Sequence, residues 1–148
     1  MLCGMVIDNN AEFGSGLSIA LAAGTTLLGD VIDMGAVPDA AELYLVILVE
    51  TAAASAGAAT AQFTLASDAQ GAIATDGSAT AHCSTGALPL AALTAGAMVA
   101  CLPLPRLPRY ERYLGLLLTI GTATITSGKV TAFLTNDPST YRPLADNI

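Results

Sequence analysis

Between Thr60 and Ser67 the chain alternates, with Ala61, Phe63 and Leu65 falling on one side and Thr60, Gln62 and Thr64 on the other. A period of two is the repeat of a strand with one buried face. Residues 43–49, LYLVILV, form instead an unbroken apolar run closed by Glu42 and Glu50. That run is too short for a typical buried helix and rich in β-formers, so it predicts a strand covered on both faces, at the centre of a sheet. Further strands are predicted over 25–34, 98–102, 113–120 and 129–135, with weaker signals at 17–21 and 80–85. In TITSGKVTAFLT, residues 124–135, a Ser-Gly pair separates two β-prone runs. This predicts a hairpin in which Gly128 supplies the positive φ of the turn. Helical readings are confined to 39–42, 52–61 and 88–97, and Gly57 and Gly96 weaken the last two.

Short strands separated by Gly, Pro, Asn and Asp turns indicate an all-β fold, a jelly-roll-like antiparallel β-sandwich. With 148 residues one core is expected, burying about 70% of the surface that the unfolded chain exposes. Residues 1–24 read as an N-terminal arm with a first weak strand, 25–135 as the sandwich core and 136–148 as a C-terminal tail. The arms lack regular patterning, which predicts segments that are loose or laid along a partner.

Composition changes the picture from a generic sandwich to an associating one. Apolar residues make up 53% of the chain, much of it Ala, and charged residues only 11%, against about 25% in ordinary soluble domains. A surface this poor in charge suits permanent association. The net charge is -7, which argues against nucleic acid as a partner, because that affinity comes from Lys and Arg neutralising phosphates. The sign is also segregated: residues 1–105 hold nine acids and no Lys or Arg, whereas 106–148 hold all five basic residues and three acids. Opposite charge on two parts of one surface orients docking, although a solvated acidic face gives the same pattern. The N-terminus MLCGMVIDNN has no basic n-region, so a product made and kept inside the cell is expected. The apolar stretch 87–105 is broken by Pro89, Gly96, Pro103 and Pro105, and no membrane span is expected there. Cys3, Cys83 and Cys101 form no CxxC pair and read as buried thiols, with a disulfide between two of them left open.

Chemistry is sparse. His82 is the only histidine, and Cys83 beside it points to the opposite face of a strand, which disfavours a Cys/His dyad. Scattered Cys with one His do not make a zinc site. The oxygen-rich loops at 8–12 and 68–76 lack the EF-hand pattern and read as Asx turns. Asp30 and Asp33 stand three apart, which in a regular strand sends them to opposite faces. Gly14-Ser15-Gly16 lacks the rest of a phosphate-binding loop. No catalytic residue, metal or cofactor is expected, and the chain reads as a non-enzyme. One cluster stands out: Arg106, Arg109, Tyr110 and Arg112 in a Pro-rich loop. It reads either as a solvated connector, with Arg112 paired to Glu111 or a neighbour, or as an Arg/Tyr contact patch of the kind enriched at interfaces.

The order of segments then becomes informative: GDVIDMG at 29–35, LYLVILVET at 43–51, the alternating strand at 59–67, LPLP at 102–105, ERYLGL at 111–116 and SGKVTAFLT at 127–135. In this order they resemble the Bbp16-type capsid cement proteins of tailed bacteriophages, over about residues 31–135. The resemblance implies a jelly-roll virion protein on the outer surface of an HK97-like head, synthesised in the host bacterial cytoplasm. It would bridge major capsid protein subunits and reinforce the shell without catalysis. Many weak contacts repeated over a shell suit that role, so a homodimer or homotrimer is expected, with neither nucleic acid nor membrane as partner. Charge reversal at Arg106, Arg109 and Arg112 is expected to weaken head binding most at low salt. The alternative is a carbohydrate- or receptor-binding module of a phage fibre or tail. It wants exposed aromatic platforms, and the chain has no Trp, four Tyr and three Phe.

Overall fold

The computed structural model describes residues 9–36 and 42–136 of the chain. Within them lie nine strands: β1 Glu12–Ser18, β2 Gly24–Asp33, β3 Tyr44–Ser55, β4 Thr60–Asp68, β5 Thr80–Ser84, β6 Leu88–Pro89, β7 Met98–Pro103, β8 Tyr113–Gly121 and β9 Ile125–Thr135. One sheet runs β1-β9-β3-β7 and the other β2-β8-β4-β5, with β6 added beside β4. Every pairing is antiparallel. Early and late strands interleave in both sheets, which is the two-sheet connectivity of a jelly roll.

The core lies between the sheets. Phe63 and Leu65 of β4, Leu114, Leu116 and Leu118 of β8, and Leu45 and Ile47 of β3 are all at 0% exposure. Each large side chain removed from water in this way contributes about 1.5–3 kcal/mol. The run at 43–49 forms a strand buried on both faces, as its pattern predicts. Val46 points away from the main core and packs with Phe133 of β9, against Leu48 and Met98. On the outer face of the second sheet, Ile73 from the β4–β5 loop covers Ala66 and Leu117.

Four expectations need correction. The stretch 124–135 is not a hairpin but the single strand β9, in which Gly128, at φ +140, is an irregularity opposite β3. The helical readings fail as well: 52–55 continues β3, while 88–97 holds only β6 and a three-residue 3-10 turn, Leu90–Ala92. The third, 39–42, lies outside the described residues except for Glu42. The weak strand expected at 17–21 starts earlier, as β1 from Glu12, where an irregular arm had been expected. Cys101 is exposed and Cys83 half-buried, and both are free thiols. Cys3 lies outside the described residues, as does the tail from residue 137.

A candidate interaction surface at one end of the sandwich

The β7–β8 connection crosses one end of the sandwich, where β2 stops at Asp33 and β8 starts opposite it at Tyr113. Its two feet are fixed. At the first, Leu104 is buried and its N–H donates to the Leu43 carbonyl at 2.9 Å. At the second, Tyr110 is 6% exposed and stacks on His82, ring centroids 3.7 Å apart and planes 9° from parallel. His82 Nε2 shares a 2.7 Å hydrogen bond with Ser67 Oγ, which also accepts the Glu111 N–H at 3.0 Å. Thr80 Oγ1 donates to Glu111 Oε1 at 2.9 Å. Arg112 then forks onto Asp33, Nε to Oδ1 and Nη2 to Oδ2, both at 2.9 Å. The Met34 N–H donates to the Arg112 carbonyl, tying the loop to the end of β2.

Electrostatics follow from these contacts. The Arg112 guanidinium and the Gly35 N–H hold the Asp33 carboxyl down at about 2. Burial pushes the Tyr110 phenol up to about 12, with Cys83 adding to it. Burial also lowers His82, against the opposing pull of Glu111 and the Pro108 carbonyl. The Tyr110 hydroxyl is buried without a hydrogen-bond partner among the described residues. His82 and Cys83 do diverge, since Cys83 packs against the main core while His82 faces Ser67.

The four residues singled out in this loop therefore separate. Tyr110 is interior, so it positions the loop and does not present a contact. Arg112 is spoken for by Asp33, not by Glu111. Arg106 and Arg109 remain exposed at the tip. Between them stands Leu107 at 79% exposure, the only large exposed hydrophobic among the described residues. Its signal in the sequence was a lone Leu held between Arg106 and Pro108 in a segment with no strand partner.

Beside the Arg112–Asp33 pair, the ends of β1 and β2 frame an open, mostly polar groove whose lining includes Glu12, Asp30, Val31, Ile32 and Asp33. Asp30 and Asp33 border the same groove because β2 is irregular between Leu28 and Ile32, which breaks the period of two that separated them on paper. Among the described residues, no group of three or more His, Cys, Asp or Glu is placed to hold a metal ion. No helix among them is long and apolar enough to cross a membrane. The oxygen-rich loop at 68–76 folds on itself: Asp68 accepts the Gln70 and Ala74 N–H groups, and Asp76 accepts both the N–H and the hydroxyl of Ser78. The part of 8–12 that is described is a short 3-10 turn entering β1.

The opposite end of the molecule is different in kind. Its loops, residues 19–23, 56–59, 85–97 and 122–124, contain no charged residue. Their exposed positions are Ala, Gly, Thr and Pro.

No curated protein matches this chain. The family model Bbp16 matches residues 16–134, from the middle of β1 almost to the end of β9, and so covers nearly the whole sandwich. The chain belongs to the Bbp16 family, a bacteriophage-related family.

Proposed function

We propose that the protein is a structural virion component, a cement protein on the outer surface of an HK97-like phage head that bridges major capsid protein subunits. The observation that carries this reading is the family match over the jelly-roll core. Two physical features support it. Charged residues are only 11% of the chain, which favours long-lived contact with other subunits. The uncharged end offers a surface of small side chains that a neighbour's backbone approaches closely without stripping water from ions. In this reading that end faces the shell, and affinity builds from many equivalent weak contacts across the lattice.

Cryo-electron microscopy of heads assembled with and without the protein is the direct test. Density on the outer shell at capsomer junctions, together with loss of heat resistance when the protein is omitted, is the expected result. Density confined to the tail or fibres would overturn the cement reading in favour of a receptor- or glycan-binding role.

A further inference from the structure

The second foot of the β7–β8 loop rests on one titratable ring. His82 of β5 is the only histidine in the chain. Its face is covered by Tyr110, 3.7 Å away between ring centroids, and its Nε2 lies 2.7 Å from Oγ of Ser67, a residue at 0% exposure. The direction of that last bond follows from its neighbour. Ser67 Oγ accepts the Glu111 N–H at 3.0 Å, which leaves the hydroxyl its own hydrogen to give, and Nε2 is the partner in place for it. A neutral ring then carries its hydrogen on Nδ1 and closes a chain from the Glu111 N–H through Ser67 to His82. A proton added at Nε2 breaks that order, because ring and hydroxyl both offer a hydrogen along the same 2.7 Å line beneath the Tyr110 ring.

We propose that His82 is a proton-operated latch: neutral, it holds the 108–111 foot of the loop closed, and on protonation it lets that foot lift while the sandwich stays folded. The surrounding groups fix the sign. Burial lowers His82 below the ordinary 6.5, by more than the Glu111 carboxylate and the Pro108 carbonyl raise it, so the lifted, solvated ring takes up the proton first. The closed foot is therefore fully favoured above 6.5 and gives way as the pH falls toward the closed form's own, lower value. No neighbour shares this titration. Tyr110, up at about 12, stays neutral, and Cys83 turns into the core. Glu111 is held by the Thr80 hydroxyl, and Asp68 of β4 is taken by N–H groups of its own loop. The other two ties of the connection also persist: Leu104 is held through its backbone, and Asp33, down at about 2, keeps Arg112. Movement is confined between those ties and carries the exposed Arg106–Arg109 tip with it. The latch does not depend on the capsid reading, and its test contains no heads.

NMR of the full chain reads it directly, because one histidine gives one Cε1–H resonance. Its titration midpoint should lie below 6.5. Hydrogen exchange of the Glu111 amide, taken relative to the unstructured rate at each pH, should lose protection between about pH 7.5 and 5, by up to about tenfold per pH unit. Leu104 and the amides of β8, which lies between β2 and β4, should keep theirs. His82→Phe leaves a ring under Tyr110 and should make Glu111 protection independent of pH. Ser67→Ala removes the shared oxygen, so the Glu111 amide should exchange fast at every pH with the rest of the amide spectrum in place. A His82 midpoint at or above 6.5 overturns the proposal. So does Glu111 protection that stays level while His82 titrates, that falls together with the β8 amides, or that keeps its wild-type slope in either variant.

Discussion

Tyr110 carries a hydroxyl that is buried and makes no hydrogen bond among the described residues, and leaving such a group unsatisfied costs about 1–3 kcal/mol. Its ring still anchors the loop through the stack on His82. Tyr110→Phe keeps the ring and removes the orphan, so stability should hold or rise by about 1 kcal/mol in urea unfolding. A clear loss would mean that the hydroxyl has an acceptor. His82 sets a pH dependence at the same site. Burial lowers its folded pKa below the ordinary 6.5, so the unfolded chain takes up the proton first as the pH falls. Stability is then complete above 6.5 and declines below it until the folded pKa is passed. Asp33 acts in a separate window: its carboxyl, held at about 2 against 3.8, contributes stability that is present above 3.8 and lost on descent toward 2. Urea midpoints between about pH 7.5 and 5 should thus fall in the wild type and flatten in His82→Phe, which keeps a ring on Tyr110. An equally steep slope in the variant would assign the dependence to another group. None of this was legible in the sequence, where Tyr110 is one more residue in a polar, Pro-rich run. Its burial is decided by His82, 28 positions earlier.

At the level of elements, alternation and apolar runs located the strands well, because burial on one or both faces writes itself directly into a period of two or into none. Residues 60–67 became β4 nearly as read, and 43–49 became the buried first half of β3, which runs on to Ser55. The misreading at Gly128 shows the limit of local pattern. A Ser-Gly pair between β-prone runs is the same text whether the chain reverses or merely kinks, and the choice falls to the partner strand. Here β3 extends to Ser55 and keeps pairing past the irregularity, with Ala54 opposite Ser127 and Ser55 opposite Ile125. The bend at Gly128 lets Ile19 pack against it, and the Ile19 N–H donates to its carbonyl at 3.0 Å. A Cβ there would stand 2.9 Å from Ile19 Cγ1 and 3.1 Å from Ala53 Cα. Gly128→Ala is therefore expected to lose about 2–4 kcal/mol, from overpacking plus an unfavourable φ. Gly77, at φ +93 with nothing within 4 Å of its missing Cβ, isolates the backbone contribution, and Gly77→Ala should lose only about 1–2 kcal/mol. Thermal unfolding of the pair separates the two effects. Equal losses would mean that Ile19 gives way freely.

Over the whole molecule, the charge segregation of the sequence becomes a polarity of the fold, though not along the boundary the chain order suggested. Acids from the first half and an arginine from the second meet at one end, where Asp33 binds Arg112 and where Glu12 and Asp30 line the groove between β1 and β2. The loops of the other end carry no charge at all. In the proposed capsid role, the uncharged end meets the shell and the charged end stays clear of that contact. The proposed shell contact can then be tested by substitution at that end alone. Ala58 and Ala91 are exposed on the uncharged end, and Ala58→Lys/Ala91→Lys places two cations where a close, small-residue contact would have to desolvate them. That variant should bind expanded heads more weakly while sedimenting and melting like the wild type. If the lysine variant decorates heads as well as the wild type does, the shell is met by another face. The small-residue end would then be an ordinary solvent surface, and the charged end would become the candidate for the shell contact.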